Sequence, residues 1–366
     1  MAGQIAGKQM IMKPNMKIFE SMKRYIFAAV VAALICRTLA TAQENIPGGA
    51  RDAVWLSCGE VMAPDALIGI SVAQLRLNPD YESPLETQSL MGTPVEVLDS
   101  TGYWRRIRVP DGYEAWVNAL ALAKMPENYA DARKYIVTED CSHVFERPSD
   151  TSGRISDIVR GDVLRRGGRT KKGFAEVILP AGRHGWVKSS DIQDYGRWKE
   201  TAGCTGANVR QEALRFIGVP YLWGGASPKG FDCSGLVQFS YYMNGMLLPR
   251  NADDMYHEGV KVDVGILAGK VRRRPLGVMA CPETALQAHA EGYSLDSSDY
   301  AALQPGDLLF FGNIEKDRPT HVGMYIGGGR FIHSSQLVRV NSLDPGEADC
   351  YENVGRLLGA RRIIGR

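Results

Sequence analysis

Residues 220–235 read PYLWGGASPKGFDCSG, and this stretch sets a single cysteine, Cys233, close behind a glycine-rich turn. The residues that follow, SGLVQFSYYMNG, predict a short helix that ends at Asn244-Gly245. Asp232 then occupies the N-cap position, where a carboxylate accepts hydrogen bonds from the first N–H groups of a helix. A cysteine at such a helix start is a candidate nucleophile. The alternatives are half of a disulfide, a packing residue and a metal ligand.

A cysteine nucleophile reacts as the thiolate, and a helix N-terminus or a nearby imidazolium lowers the thiol pKa below its free value of about 8.5. We therefore predict a pKa well below 8.5 for the Cys233 thiol. Two of the six histidines, His321 and His333, lie on neighbouring strand-like runs joined by a glycine turn at 327–329. On an antiparallel pair these side chains can lie side by side, so that one imidazole accepts the thiol proton and the other orients the first.

The C-terminal region predicts helices first and a strand meander afterwards, which is an α+β order. In NVRQEALRFIG, one helical face combines Val209, Ala213, Leu214 and Ile217, and Gly218 ends the helix. The strand-like runs are DLLFFG (307–312), HVGMYIGGG (321–329) and RFIHSS (330–335).

Ahead of this region, two segments with a shared pattern predict two small all-β barrels in tandem. The segments start at Gly92 and Gly161, and each reads as short alternating strands separated by glycine turns. We place the barrels at residues 55–127 and 133–196. Three residue pairs recur 70 positions apart, and we interpret the last pair as core aromatics of the barrels: Trp104 and Phe174, Gly112 and Gly182, Trp116 and Trp186.

The N-terminus predicts export. Residues 22–43 read MKRYIFAAVVAALICRTLATAQ, with a basic start, an apolar run at 26–36 and an A-x-A site at 40–42. We predict a signal peptide with an N-terminal extension over residues 1–42, and hence a periplasmic or secreted bacterial protein. Eleven apolar residues are too few to span a bilayer, so we expect no stable membrane insertion after cleavage.

The charge balance and the cysteines argue against other classes. The chain has 366 residues, with 43 Lys and Arg against 41 Asp and Glu, and six of the basic residues fall in the predicted signal segment. A nearly neutral mature chain gives no reason to expect a nucleic-acid partner. The seven cysteines contain no CxxC motif and no dense spacing, so a disulfide scaffold is not indicated.

The motifs PYLWGG, FDCSGLVQ, LQPGDLLFF, HVGMYIGGG and FIHSS occur in this order and resemble the NlpC/p60 family of cell-wall cysteine peptidases. The resemblance covers about residues 205–340 apart from 261–300, which we interpret as an insertion with some helix near 283–290. It implies a papain-like α+β peptidase domain over residues 204–366, behind the two barrels, which resemble bacterial SH3-like domains. It implies no metal or organic cofactor.

The resemblance also implies catalytic roles. Cys233 matches the nucleophile, His321 matches the general base and acid, and His333 matches the orienting residue. Tyr221 matches a tyrosine near the oxyanion site, where its hydroxyl helps to hold the developing charge; a packing role is the alternative. A Cys-His-His zinc site and an inactive, wall-binding module are alternatives to the peptidase.

One subgroup of the family, with SH3-like domains ahead of the peptidase, resembles this chain most. It consists of γ-D-glutamyl-L-diamino acid endopeptidases, which cut after D-glutamate in wall peptides with a free N-terminal L-alanine. The implied partner is a peptidoglycan-derived peptide, and we expect a monomer. Asp232 and Ser234 match residues that grip the N-terminal end of the substrate; a helix cap alone is the alternative for Asp232. Tyr113 falls where the first SH3-like unit lends a tyrosine to the site.

Two departures from the subgroup pattern concern this substrate pocket. An acidic residue is expected from the first barrel, but Pro84 stands in its place, and Glu82 or Glu86 is the substitute. An aspartate-serine pair is expected after Arg250, but Asn251 and an alanine follow. The candidate substrate-binding residues are Asp232, Ser234, Tyr113, Arg250, Asn251 and Glu86.

Overall fold

The first barrel is built from seven short strands with antiparallel pairing. The computed structural model describes residues 63–272 and 295–365 of the chain. The barrel strands are β1 (Ala66–Ile68), β2 (Val72–Arg76), β3 (Leu85–Leu90), β4 (Pro94–Thr101), β5 (Trp104–Arg108), β6 (Glu114–Asn118) and β7 (Leu122–Lys124). They pair in the order β3-β2-β6-β5-β4-β1-β7 and enclose an apolar core of small and branched side chains.

The second barrel repeats this topology. Its strands are β8 (Lys134–Val137), β9 (Cys141–Phe145), β10 (Arg154–Val159), β11 (Val163–Lys171), β12 (Phe174–Ile178), β13 (His184–Lys188) and β14 (Ile192–Asp194). They pair in the order β10-β9-β13-β12-β11-β8-β14, which is the order of the first barrel with every number raised by seven. The structure therefore contains the two small all-β barrels that the repeated pattern predicts.

The interpretation of the two repeated tryptophans is wrong. In β6, Ala115 and Val117 are buried and Trp116 between them is only half-buried. In β13, Val187 is buried and Trp186 is half-buried. Successive side chains of a strand point to opposite faces, so the neighbours of a core valine cannot share its core. Branched aliphatic side chains fill both barrel cores instead.

The C-terminal domain packs helices against one antiparallel sheet. Its helices are α1 (Tyr195–Thr201), α2 (Gly206–Leu214), α3 (Cys233–Tyr242), α4 (Ala252–Met255) and α5 (Gly265–Val271). A two-stranded ribbon joins β15 (Ala226–Ser227) to β16 (Gly230–Phe231), and the main strands are β17 (Val260–Val262), β18 (Leu308–Asn313), β19 (Arg318–Gly327), β20 (Arg330–Ser335), β21 (Leu337–Ser342) and β22 (Leu357–Arg362). The sheet order is β17-β22-β18-β19-β20-β21, and α3 packs against β19 and β20. This is the predicted α+β architecture.

Helix α2 ends earlier than its sequence pattern predicts. Val209 and Ala213 are buried as expected, but Ile217 is 55% exposed and Phe216 is 1% exposed. The main-chain N–H of Phe216 bonds to the carbonyl of Ala213, three residues back, which tightens the last turn. This turn brings the phenylalanine into the core, where the helical spacing had placed the isoleucine.

The described parts of the segment predicted as an insertion, 261–272 and 295–300, pack into the sheet domain. Strand β17 pairs with β22, and α5 buries Leu267 and Val271 against the sheet domain. Residues 261–272 therefore belong to the domain itself. The helix expected near 283–290 lies outside the described residues, as do the signal peptide at 1–42, residues 55–62 of the first barrel, Cys36, Cys58 and Cys281.

None of the helices within 63–272 and 295–365 is long and apolar enough to cross a membrane.

Candidate active site

Cys233 is the first residue of α3, and Asp232 caps that helix as predicted. The Asp232 carboxylate accepts a hydrogen bond of 2.7 Å from the main-chain N–H of Gly235. A Cβ on Gly235 would lie 2.0 Å from the carbonyl oxygen of Gly225, so only glycine fits in the CSG motif. Gly224 has φ +72°, and its Cβ would lie 2.7 Å from the carbonyl oxygen of Leu85 in the first barrel. The glycines of WGG and CSG thus let three backbone segments meet at the helix start.

Cys233 is a free thiol, which rules out the disulfide alternative for this residue. The main-chain N–H of Val322 donates to its sulfur. Val322 directly follows His321 on β19, so the thiol faces the strand that carries the first candidate histidine. Within the described part of the chain, no group of three or more His, Cys, Asp or Glu side chains is arranged to hold a metal ion.

His321 and His333 are hydrogen-bonded to each other, as the antiparallel arrangement predicts. The distance from His321 Nε2 to His333 Nδ1 is 2.8 Å, and the two rings are nearly perpendicular. The pairing of Met324 with Ile332 sets this register, and the two histidines lie diagonally across β19 and β20. His333 is fully buried.

A residue that the sequence reasoning missed continues this row. The distance from His333 Nε2 to Asn341 Oδ1 is 2.8 Å, and Asn341 Nδ2 donates to the carbonyl oxygen of Asp349 at 2.6 Å. Asn341 lies on β21, which pairs with β20 directly. The run LVRVNS follows FIHSS after one residue, Gln336, so a hairpin with alternating polar side chains was the available signal.

Burial sets the charge state of Cys233, His321 and His333, the candidate catalytic groups, in the substrate-free protein. It raises the pKa of the Cys233 thiol to about 11, and the neighbouring Asp232 carboxylate acts in the same direction. Burial lowers the pKa of His321 to about 4 and that of His333 to about 3. The predicted thiol pKa well below 8.5 is therefore contradicted: desolvation outweighs the helix terminus, and both histidines are neutral at neutral pH.

Tyr221 lies half-buried beside this centre. Its main-chain N–H donates to the carbonyl of Gln336 at 2.8 Å, which anchors it at the end of β20. Burial and the nearby Cys233 thiol raise the pKa of the Tyr221 hydroxyl, so the hydroxyl keeps its proton and can donate a hydrogen bond.

Asp232 has a second partner that its cap position does not explain. Arg250 is 3% exposed and grips the carboxylate with two nitrogens, Nη1 to Oδ1 at 3.0 Å and Nη2 to Oδ2 at 2.5 Å. Its Nη1 also donates to Ser234 Oγ at 2.8 Å, and its Nε donates to Thr87 Oγ1 at 2.7 Å. Arg250 was a candidate substrate-binding residue, but its guanidinium is directed into the protein and fixes Asp232 and Ser234 from behind.

The first barrel delivers the expected tyrosine and acidic residue to the same region. Tyr113 Oη donates to Glu86 Oε2 at 2.5 Å, and Asn251 hydrogen-bonds to Tyr113 as well. Of the two substitutes for the missing acid, Glu86 therefore meets the tyrosine. Glu82 lies in an exposed turn with Pro84. Asn251 stands next to Arg250, so this cluster adjoins the hydrogen-bond network around Cys233.

Two further barrel residues, which the sequence reasoning missed, hold the walls of the site. Gln88 Oε1 accepts hydrogen bonds from the Ala226 N–H at 3.0 Å and from Ser227 Oγ at 2.8 Å. Asp111 accepts from Gln238 Nε2 on α3 at 2.7 Å. These bonds join the barrel to the loop ahead of Cys233 and to the helix behind it.

A free thiol at the start of a buried helix, set against hydrogen-bonded histidines on the adjoining sheet, places the protein among the papain-like cysteine peptidases. Residues 218–351 match the NlpC/P60 family model, and residues 75–122 match the bacterial dipeptidyl-peptidase Sh3 domain. The chain therefore contains an NlpC/P60 domain, with an SH3 domain of the bacterial dipeptidyl-peptidase type ahead of it.

Similar proteins cover most of this chain. It is 28% identical over 294 residues to gamma-D-glutamyl-L-lysine dipeptidyl-peptidase of Bacillus cereus, covering 76% of this chain and 75% of the relative. It is 26% identical to dipeptidyl-peptidase 6 of Lysinibacillus sphaericus, covering 76% of this chain and 92% of the relative. A crystal structure of an NlpC/P60 family protein from Bacillus cereus superposes with a TM-score of 0.63 at 23% identity, covering 82% of this chain and all of that one. This likeness supports the fold.

Proposed function

We propose that this protein is a cysteine endopeptidase that hydrolyses the γ-D-glutamyl to L-diamino acid bond of peptidoglycan stem peptides with a free N-terminal L-alanine. The observation that carries the proposal is the Glu86–Tyr113 pair, which the first barrel inserts beside the network around Cys233. The name of the similar peptidase from Bacillus cereus, gamma-D-glutamyl-L-lysine dipeptidyl-peptidase, supports the same bond. The enzyme acts in the periplasm or after secretion, as a monomer.

The reaction runs through an acyl-enzyme. His321 takes the thiol proton as the Cys233 sulfur attacks the glutamyl carbonyl carbon, and the carbonyl oxygen becomes an oxyanion. The N-terminus of α3 and the Tyr221 hydroxyl supply hydrogen-bond donors for this charge. His321 then gives the proton to the leaving amine of the diamino acid. Water, deprotonated by His321, hydrolyses the thioester and restores the thiol.

The burial of Cys233 and His321 fits a mechanism in which the thiol proton moves to the imidazole while the sulfur attacks the carbonyl carbon. The thiol and the imidazole are both neutral in the resting state, because burial disfavours the charged form of each. His321, with a pKa lowered to about 4, stays unprotonated and able to act as a base through the whole neutral range.

The free amino group provides the specificity. The substrate ammonium pairs with the Glu86 carboxylate, while the Tyr113 hydroxyl and Asn251 close the end of the pocket. An asparagine stands at residue 251, and the Glu86 carboxylate, bonded to Tyr113, supplies the negative charge that meets the ammonium. An acetylated amine carries no charge and cannot form this ion pair. Its binding would remove water from the Glu86 carboxylate without replacing the lost hydrogen bonds, which weakens binding.

The test uses the purified protein and two peptides, L-Ala-γ-D-Glu-L-Lys and its N-acetyl derivative, with products identified by mass spectrometry. We expect L-Ala-γ-D-Glu and lysine from the free peptide, a rate at least about 100-fold lower on the acetylated one, and no product with Cys233→Ala. Thermal unfolding of Cys233→Ala controls for its fold. Equal rates on both peptides would point to a broader wall endopeptidase, and activity retained by Cys233→Ala would overturn the proposal.

A further inference from the structure

Three hydrogen bonds run in a row behind the site, from the main chain of Asp349 to Asn341, from Asn341 to His333, and from His333 to His321. Their lengths are 2.6, 2.8 and 2.8 Å. Asn341 is 7% exposed and His333 is fully buried, so water does not compete for these atoms. The proposed reaction needs only the last bond of the row.

The main-chain carbonyl of Asp349 determines which atom donates and which accepts in each of the three hydrogen bonds. A main-chain carbonyl only accepts, so the atom of Asn341 that faces Asp349 is the amide nitrogen. The amide oxygen of Asn341 then faces His333 Nε2, which must carry a hydrogen. A neutral imidazole has one N–H, so His333 Nδ1 is a bare acceptor, and His321 Nε2 donates to it.

We propose that Asn341 is a positioning residue that fixes the tautomers of both histidines and thereby leaves His321 Nδ1 unprotonated to receive the Cys233 proton. The inference rests on the proposed role of His321 as the base, but not on the choice of substrate. When His321 becomes an imidazolium, its Nε2–H keeps the same acceptor and no other proton has to move. Asn341 sets the direction of these hydrogen bonds without placing a negative charge beside the buried His333.

An aspartate at residue 341 would reverse the row. A carboxylate beside Nε2 raises the pKa of His333, so His333 carries hydrogens on both nitrogens. Its Nδ1–H then points at His321 Nε2, and neutral His321 must hold its own hydrogen on Nδ1, where the base is needed. Activity is lost below the raised His333 pKa and returns as the pH rises through it.

Other charged and titratable groups face the two histidines and influence the pKa values of both rings in the wild-type protein. Arg339 on β21 lowers the pKa of both rings, and Asp232 beside Cys233 raises that of His321. Tyr351 packs its ring on both, with centroids 5.6 and 4.9 Å away. Glu352 pairs with Arg339 at 3.3 Å and partly offsets its charge. All of these groups are unchanged in a variant of residue 341.

The experiment compares pH profiles of kcat/KM for wild type, Asn341→Asp, Asn341→Leu and Asn313→Asp, on any peptide that the wild type cleaves. Asn313 is exposed at the end of β18, so its variant adds the same charge away from the site and should match wild type. For Asn341→Asp we expect about 100-fold lower activity at pH 5–6 and an acid limb above pH 6.5, with recovery toward high pH. For Asn341→Leu we expect a loss of similar size without a shifted limb. An unshifted limb in Asn341→Asp overturns the inference.

A second measurement avoids the variants altogether. Nitrogen-15 histidine NMR of the substrate-free wild type should show Nε2–H and bare Nδ1 for both His321 and His333 near pH 7. A hydrogen on Nδ1 of either ring overturns the inference, whatever the variants do. If both tests succeed while acetylated and free peptides react equally, the substrate proposal fails and the role of Asn341 stands.

Discussion

The two barrels share one topology and differ in what they touch. Counting 70 residues on from Tyr113, which bonds to Glu86 in the site region, leads to Arg183 in the second barrel. Arg183 is an exposed partner of Glu146 at 3.4 Å. The same turn of the same fold therefore carries a candidate-site residue in one copy and a surface residue in the other.

The contacts with the peptidase domain differ in kind as well. The first barrel makes buried polar contacts at the site, through Thr87 to Arg250 and through Gln88 to the loop before Cys233. The second barrel makes two ion pairs, Arg160–Glu212 to α2 and Lys229–Asp157 to the loop between β15 and β16. It also buries Val159 and Val163 in an apolar core shared with α3. We conclude that the first barrel makes buried polar contacts to the candidate site, whereas the second barrel packs on α2, α3 and the loop between β15 and β16.

Arg250 offers the strongest test of this difference. Replacing it with methionine leaves the buried Asp232 carboxylate without its cation, which should lower the free energy of unfolding by about 3–5 kcal/mol. Activity should fall at the same time, because Ser234 and Thr87 lose a common partner. Denaturant unfolding measures the loss. Arg215→Met, which removes an exposed ion pair with Asp140 of the second barrel, is the control, and a loss as large as that of Arg250→Met would contradict the distinction.

Glu86→Gln tests the pocket with a smaller expected effect. The substrate ammonium would meet a neutral amide, and kcat/KM on the free tripeptide should fall about 100-fold, or about 2.7 kcal/mol. The slow rate on the acetylated peptide should not change. Arg183→Ala, at the matching end of the second barrel, should leave both rates at wild-type values. A parallel loss on both peptides would show that Glu86 supports the fold instead of the amine.

The smallest effect is expected at the rim of the second barrel. Lys229 and Asp157 form an ion pair in which both side chains are more than two-fifths exposed. Such pairs contribute less than about 1 kcal/mol, so Lys229→Ala should barely change the unfolding free energy and should not change kcat/KM. A drop in kcat/KM without a change in stability would mean that this barrel also reaches the site.

Local patterns in the sequence were sufficient for the fold and for the centre of the site. Three features depend only on residues close together in the chain: the cap at Asp232, the helix after Cys233 and the histidine hairpin. Their local sequence was therefore enough to predict them. The half-buried tryptophans and Phe216 were missed because each depends on small rotations about a strand or a helix end.

Polar contacts between residues far apart in the chain could not be predicted from the sequence. The bond from Thr87 to Arg250 joins residues 163 apart, and the bond from Gln88 to Ala226 joins residues 138 apart. No periodicity marks such a pair, because each partner alone is an ordinary polar residue. The raised thiol pKa was missed for a related reason: desolvation depends on everything that covers Cys233, and a helix start reveals only one neighbour.

Gly224 has a consequence for engineering. The backbone of the first barrel at Leu85 lies so close that any side chain at residue 224 would collide with it. A catalytic domain grafted from an enzyme with a larger residue at this position would keep the first barrel from packing against it. Swapping modules between relatives of this chain therefore requires a glycine at this seam before any pocket residue is redesigned.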